Sequence, residues 1–259
     1  MKFNEVLGID VGGSGIKGAP VNTKKGVLLD ERFRIPTPSP ATPEKVAGVI
    51  NEIAKHFNWK GPIGIGFPSV IVKGVVKTAS NIDKSWIDTN GQQLISKVTG
   101  LPVHLVNDAD SAGLAEIRFG AGKKVKGTVV MVTVGTGIGT ALFTRGRLVS
   151  NTELGHVFLN NGKVAEKFAA DSIRQAEDLN WLDWGARFNE YLKEIEKLFW
   201  PELIIIGGGV SKKPEKYMSA VSVKAPIVMA QQRNEAGIIG AAIAAKRNKK
   251  ELRELFIVK

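Results

Sequence analysis

The chain has 259 residues, 43% of them hydrophobic and 24% charged, with no cysteine and a formal net charge of +11. This is the composition of a globular protein long enough to bury a full core, and it excludes disulfides and thiolate metal sites. No apolar run reaches the length of a membrane span, and Met1–Glu5 leads straight into a first strand without a signal peptide, so a cytoplasmic protein with no membrane partner is expected.

In chain order, Val6-Leu7-Gly8-Ile9 reads as a buried strand that reaches Asp10 and a turn holding Gly12, Gly13, Ser14 and Gly15, with Lys17 just beyond. Glycines there leave backbone N–H groups bare, while Ser14 adds a hydroxyl and Lys17 a point charge, which is chemistry for phosphate. Asp10 would repel a phosphate but suits a magnesium ion or its water shell. A plain tight hairpin is the other reading of such a turn. The spacing matches neither a Walker A loop nor the dinucleotide fingerprint.

A strand at Val27-Leu28-Leu29 and a proline-rich loop from Pro36 lead to a helix opened by Thr42 as N-cap and Pro43, with Val46, Val49, Ile50, Ile53 and Phe57 on one face. His56 lies beside that face and reads as structural. Ile63–Phe67 is a buried strand, Val70–Val76 a hairpin, and Ala79–Trp86 a polar loop able to hydrogen-bond a hydroxylated ligand. After a helix over Gln92–Val98, the strand Leu101–Val106 carries Asn107-Asp108 at its carboxyl end, where open α/β sheets bind ligands. The next helix is expected from about Asp110 to Phe119; Asp108 suits its cap, but Asp110 could cap equally well and leave Asp108 aimed at a ligand.

The second half repeats the first. Gly135-Thr136-Gly137-Ile138-Gly139-Thr140-Ala141 parallels Gly13–Ala19 and follows the apolar strand Val129–Val132, with Thr133 just ahead of the turn. Such duplication implies two α/β units whose turns face one cleft and grip a phosphate chain from either side. Glu153 and His156 then stand three residues apart across Gly155, open to reading as a surface ion pair or a metal site; with only Glu166 nearby, zinc is not expected. Lys163–Glu177 and Trp184–Phe199 read as helices, and the tryptophans at 181, 184 and 200 as core. The buried strand Leu203–Ile206 ends in Gly207-Gly208-Gly209-Val210, a third bare turn suited to a nucleotide, and Pro226–Ala230 is a last strand. A final helix runs from Ala236 to about Leu255, small and apolar first, then basic. Basic residues cluster at Lys123, Lys124 and Lys126, at Lys212, Lys213 and Lys216, and after Lys246. They read either as a surface for a polyanion or as a solvated, lysine-rich exterior. No nucleic-acid recognition module is visible, so nucleic acid is not an expected partner.

Asp10-x-Gly-Gly-Ser, Asn107-Asp108, Gly135-Thr-Gly-Ile-Gly, Glu153-x-Gly-His156 and Gly207-Gly-Gly-Val, in this order, resemble the ROK family of sugar kinases in the actin-like ATPase superfamily. Ala79–Trp86, Asn151–His156 and Trp200-Pro201 resemble its polyphosphate-using glucokinase branch. The resemblance implies an α/β, actin-like (ribonuclease H-like) duplicated fold with two lobes around a central cleft. The smaller lobe would span 1–107, with helix 236–259 crossing back to it, and the larger 108–235. It implies phosphoryl transfer from inorganic polyphosphate, and from ATP, to the 6-hydroxyl of glucose; the alternative is an ATP-only kinase for glucose, mannose or an N-acetylhexosamine.

By the same resemblance Asp108 is the general base, and Asn107, Glu153, His156 and Glu166 hold the other sugar hydroxyls, with Asn81 a further candidate. Asp10, Gly12, Gly13, Ser14, Gly15, Lys17, Thr133, Gly135, Thr136 and Gly137 would hold the donor's phosphates, and Gly207, Gly208, Gly209 and Val210 the nucleoside of ATP. Asp10 would hold Mg2+ through water. Val157–Lys167 lacks the cysteines of the wider family, so no zinc is implied. A homodimer is implied as well. The family's transcriptional repressors carry an N-terminal helix-turn-helix, whereas about five residues precede the first strand here, so an enzyme is the expectation.

Overall fold

The computed structural model describes residues 4–80 and 82–246. Asn81 and the chain after Lys246, with the predicted end of the last helix and its basic tail, lie outside the described residues. The fold divides into two compact units, Met1–Ala115 with Asn234–Lys259, and Glu116–Arg233. The division falls inside a helix, eight residues after the boundary expected between 107 and 108.

The first unit opens with strands β1 (Glu5–Val11), β2 (Ile16–Asn22), β3 (Val27–Leu28) and β4 (Phe33–Ile35), followed by helix α1 (Pro43–His56). Strand β5 (Ile63–Phe67), the small ladder β6 (Ile71–Val72) and β7 (Val75–Val76), helix α2 (Gly91–Thr99), strand β8 (Val103–Asn107) and helix α3 (Asp108–Phe119) complete it. The sheet runs β3-β2-β1-β5-β8, with β4 also on β2. β1 is antiparallel to β2 and parallel to β5, which is parallel to β8. Thr42 takes the N-cap position of α1 with extended backbone but makes no side-chain cap bond. His56, exposed at the end of α1, stacks on Phe33 with centroids 3.8 Å apart. Helix α3 begins two residues earlier than predicted because Asn107 caps it: its amide oxygen accepts the Asp110 N–H at 3.0 Å.

The second unit repeats this order. Strands β9 (Thr128–Val134), β10 (Ile138–Thr144) and β11 (Arg147–Val149), helices α4 (Glu166–Ala169), α5 (Asp171–Ala176) and α6 (Trp181–Phe199), then β12 (Leu203–Gly208) and β13 (Ile227–Met229) give a sheet β11-β10-β9-β12-β13. Again the hairpin is antiparallel and the two following strands are parallel. The single helix expected over Lys163–Glu177 is two, because Ala170 is extended at φ −68° and ψ 154°. Helix α6 starts three residues early because Asn180 accepts the N–H groups of Leu182 and Asp183. Trp184 is core, stacked on Phe188 at 5.1 Å, and Trp181 packs edge-on to it. Trp200 is a correction: it ends α6 in left-handed backbone at φ 45° ahead of Pro201, which throws its side chain out to 75% exposure.

Helix α7 (Ala236–Lys246) returns the chain to the first unit and is apolar on every face, as a helix buried all round must be. It lies on bare backbone. A Cβ at Gly8 would run into the Ile238 carbonyl, and one at Gly64 into the Ala241 carbonyl; one at Gly240 would meet the Ser111 carbonyl of α3. No described helix is long and apolar enough to cross a membrane.

Two glycine substitutions should move stability in opposite directions. Gly64→Ala should cost about 1–3 kcal/mol, because α7 has to lift off the sheet. Gly48→Ala on the open face of α1, where a Cβ meets nothing, should stabilise by about 0.5–1 kcal/mol through helix propensity. Urea midpoints measured at constant m-value read both; a neutral Gly64→Ala would mean the close approach of α7 is not required.

Candidate active site

In the first unit the glycine turn connects β1 to β2. Gly12 N–H donates to Gly15 O at 3.1 Å and closes the turn, leaving Gly13 and Ser14 exposed at its tip. Asp10 and Lys17 face each other in the hairpin register and form an ion pair at 3.5 Å, so Lys17 is tied to the acid rather than standing alone as a point charge. Burial pushes the Asp10 carboxyl above the usual range, and Lys17 and then Arg32 oppose that rise. Gly237 of α7 sits against it: a Cβ there would lie 2.9 Å from Asp10 Cγ.

Asn107 and Asp108 stand at the carboxyl end of β8. Asn107 is buried, and its amide is in structural use, accepting from Asp110 N–H and donating to Ser69 O at 3.2 Å. Asp108 is the first residue of α3, with Oδ1 accepting the Ala109 N–H at 2.8 Å. Gly66 on β5 lets this helix start come close, since a Cβ there would be 3.8 Å from Asp108 Cα.

In the second unit Gly135, Thr136 and Gly137 form the turn between β9 and β10, closed by Gly135 N–H donating to Gly137 O at 3.0 Å. Thr133 is central in this sheet, paired in register with Gly139 on one side and Gly207 on the other. Glu153 leads a single helical turn, Leu154–His156, in which His156 N–H donates to Glu153 O at 3.0 Å. That turn is pressed onto β10, because a Cβ at Gly155 would strike the Ile138 carbonyl. Glu166 is close enough to raise the Glu153 pKa. Burial is the larger cause of that rise, and the His156 imidazole opposes it. Glu153, His156 and Glu166 are thus gathered as a group. Glu166 also has a second task, accepting the Ile138 N–H at 3.0 Å beneath Gly137.

At the end of β12, Gly208 has φ +77° and its missing Cβ would overlap the Val134 backbone, so only glycine fits there. Gly209 opens on free space, Val210 is buried, and Ser211 Oγ donates to Gly208 O at 2.8 Å.

Several residues that shape these segments carried no sequence signal. Buried Thr140 donates to Thr152 O and accepts the Leu154 N–H at 3.0 Å, bracketing Glu153 from both sides. Thr37, Arg34 and Ser172 bond to turn carbonyls from far along the chain. A single polar side chain such as Thr37 in a loop, Arg34 on β4 or Ser172 on α5 has no pattern to find it by. Among the described residues no group of three or more acidic, histidine or cysteine side chains could hold a metal ion.

Residues 6–172 match the ROK family. The polyphosphate glucokinase of Mycobacterium tuberculosis is 47% identical over 240 residues, which span 92% of this chain and 90% of that protein. The crystal structure of inorganic polyphosphate/ATP-glucomannokinase from Arthrobacter sp. strain KM superposes with a TM-score of 0.87 at 47% identity, covering 92% of this chain and 97% of that one. A ROK family glucokinase from Streptomyces griseus, in complex with glucose and AMPPNP, gives a TM-score of 0.79 over 94% of this chain and all of that one. At 23% identity it speaks to the fold alone, the duplicated α/β fold of actin-like ATPases. Matched from its first strand through both glycine turns and the Glu153–His156 segment, the chain belongs to the ROK family.

Proposed function

We propose that this protein is a polyphosphate glucokinase, transferring a phosphoryl group from inorganic polyphosphate, and from ATP, to the 6-hydroxyl of glucose. The observation that carries the reading is the 47% identity to a polyphosphate glucokinase along 92% of the chain. ATP as a second donor is favoured by the Gly207–Val210 turn, where Gly209 opens on free space beside the closely packed Gly208. The Arthrobacter relative acts on mannose by name as well as on glucose, which makes mannose the first alternative acceptor.

In this reading the 6-hydroxyl oxygen attacks the terminal phosphorus as its proton passes to the Asp108 carboxylate. The bond from phosphorus to its bridging oxygen breaks, leaving polyphosphate one unit shorter, or ADP. A hydroxyl is a poor nucleophile near neutral pH, so a carboxylate at hydrogen-bond distance is what the step needs. Glu153, His156, Asn107 and Glu166 hold the other hydroxyls. The rest is positioning and charge neutralisation by the two glycine turns and Lys17.

Asp10 fits a magnesium ion held largely by water and donor phosphate: it offers one carboxylate at the foot of the turn, and Mg2+ commonly uses one or two. When bound, the ion neutralises charge on the donor's phosphates. Asp10 has to be ionised to hold it.

Glucose 6-phosphate production with polyphosphate or ATP as sole donor tests the reading first. Turnover on polyphosphate is expected to fall more steeply with salt than turnover on ATP, since screening weakens a long polyanion's attraction to a +11 surface. No turnover of any hexose with either donor would end the proposal.

Asp108→Asn should lower kcat by about a hundredfold or more while leaving glucose affinity within about threefold. A kcat within tenfold of wild type would remove Asp108 from the role of base.

The pH profile follows from Asp10. Its pKa is raised, so donor-side kcat/KM should fall, as pH decreases, at a higher pH than an ordinary aspartate would give. Lys17 opposes that rise, so Lys17→Met should move the acid limb to higher pH still, and Arg32→Ala should move it the same way by less. A limb unmoved by Lys17→Met belongs to another group.

A further inference from the structure

A trans peptide group is planar, and its C=O and N–H point in opposite directions. Fixing a carbonyl therefore aims the next residue's N–H. Four carbonyls in the two glycine turns are fixed in this way, by residues outside the turns themselves. Thr37 Oγ1 donates to Gly12 O at 2.5 Å and Arg34 Nη2 to Ser14 O at 2.6 Å. In the second turn Ser172 supplies both ties: its N–H donates to Gly135 O at 3.2 Å and its Oγ to Thr136 O at 2.6 Å.

The amides aimed by these ties are those of Gly13, Gly15, Thr136 and Gly137, and among the described residues none of the four donates a backbone hydrogen bond. Arg34 lies flat on Gly15, where a Cβ would come within 2.7 Å of three guanidinium atoms, so the absent side chain is what admits the tie. The two turns use unrelated elements, the segment of β4 and Thr37 in one unit and α5 in the other, to the same end.

We propose that Thr37, Arg34 and Ser172 are positioning residues for the donor: they hold the turn carbonyls away so that the turn N–H groups face the donor's phosphates. This rests on the reading that the glycine turns bind donor phosphate. The cost of forming a tight anion cradle is then met in folding, and the donor finds its hydrogen-bond donors already oriented. The ties also account for the break at Ala170. A continuous helix through Lys163–Glu177 would leave Ser172 N–H bonded within the helix, whereas the restart at Asp171 frees it, as a first-turn amide, for Gly135.

Neutral substitutions separate this role from simple charge. The wild type, Thr37→Val, Thr37→Ser and Ser172→Ala are titrated with magnesium tripolyphosphate by calorimetry, and assayed for glucose and donor KM. Thr37→Val and Ser172→Ala should each weaken tripolyphosphate and raise donor KM by about threefold to tenfold, the range of one lost hydrogen bond, with glucose KM within about twofold. Thr37→Ser should restore the affinity. The proposal is overturned if both losses stay under twofold, if glucose KM rises in step with donor KM, if Thr37→Ser behaves as Thr37→Val, or if the wild type binds no tripolyphosphate. A wild type that binds tripolyphosphate through these residues yet phosphorylates no hexose would sink the glucokinase reading and leave the positioning role standing.

Discussion

The seating of α7 on bare backbone is the constraint on which the first unit's functional geometry depends. Glycines at 8, 64 and 240 remove the side chains that would hold the helix off the sheet and off α3. Once seated, α7 acts at two places. Gly237 abuts the Asp10 side chain, and its carbonyl accepts from Ser111 Oγ of α3 at 2.7 Å, a bond spanning 126 positions of sequence. The end of β1 and the start of α3 are therefore referenced to one rigid element. Asp10 and Asp108 keep their spacing through a helix that neither adjoins in the chain, and close-packed interiors transmit such spacing well.

Duplication of topology did not mean duplication of chemistry. Asp10 and Lys17 flank the first turn in register, and the matching positions of the second are Thr133 and Gly139. The repeat thus carries an acid and its cation in one copy and a neutral pair in the other. The sheets, by contrast, share one five-strand order, with β4 an extra strand of the first, since strand order and register depend on apolar patterning and turn length rather than on the side chains at the turn.

Legibility in the sequence follows the same division. The buried strands and the three glycine turns are readable because buried parallel strands are continuous apolar runs and the turns announce themselves as glycine clusters, whereas the short β4 carries no such run. Helix starts were read late at α3 and α6, in both cases because an asparagine, Asn107 or Asn180, caps earlier than the apolar pattern begins. The break at Ala170 has no local breaker to mark it in the sequence; beyond it Ser172 bonds the Gly135–Thr136 turn far along the chain. Trp200 was misread because hydrophobicity favoured the core, while the helix end and Pro201 demanded a left-handed residue whose side chain faces water. The cluster of Glu153, His156 and Glu166 was legible as a set of residues, but the use of Glu166 as a support for Ile138 was not.

How the carboxylates are satisfied distinguishes support from function. Glu116 is fully buried and takes two main-chain N–H groups, from Ala121 and Gln232; Glu196 takes those of Lys224 and Ala225. A carboxylate held this way is anchored by main-chain N–H groups and serves the fold. Asp10 and Glu153 accept no main-chain N–H among the described residues, and both have raised pKa values through burial. Each binds its proton more tightly folded than unfolded, so what it adds to stability is present at low pH and lost as pH rises through its folded pKa. Near neutral pH the fold therefore bears a cost at these two positions, offset in part at Asp10 by its ion pair with Lys17. Glu166 falls between the classes, with one oxygen on the Ile138 N–H and the other 3.6 Å from Lys167, which makes it the one member of the cluster whose carboxylate supports the turn while its charge also acts on Glu153.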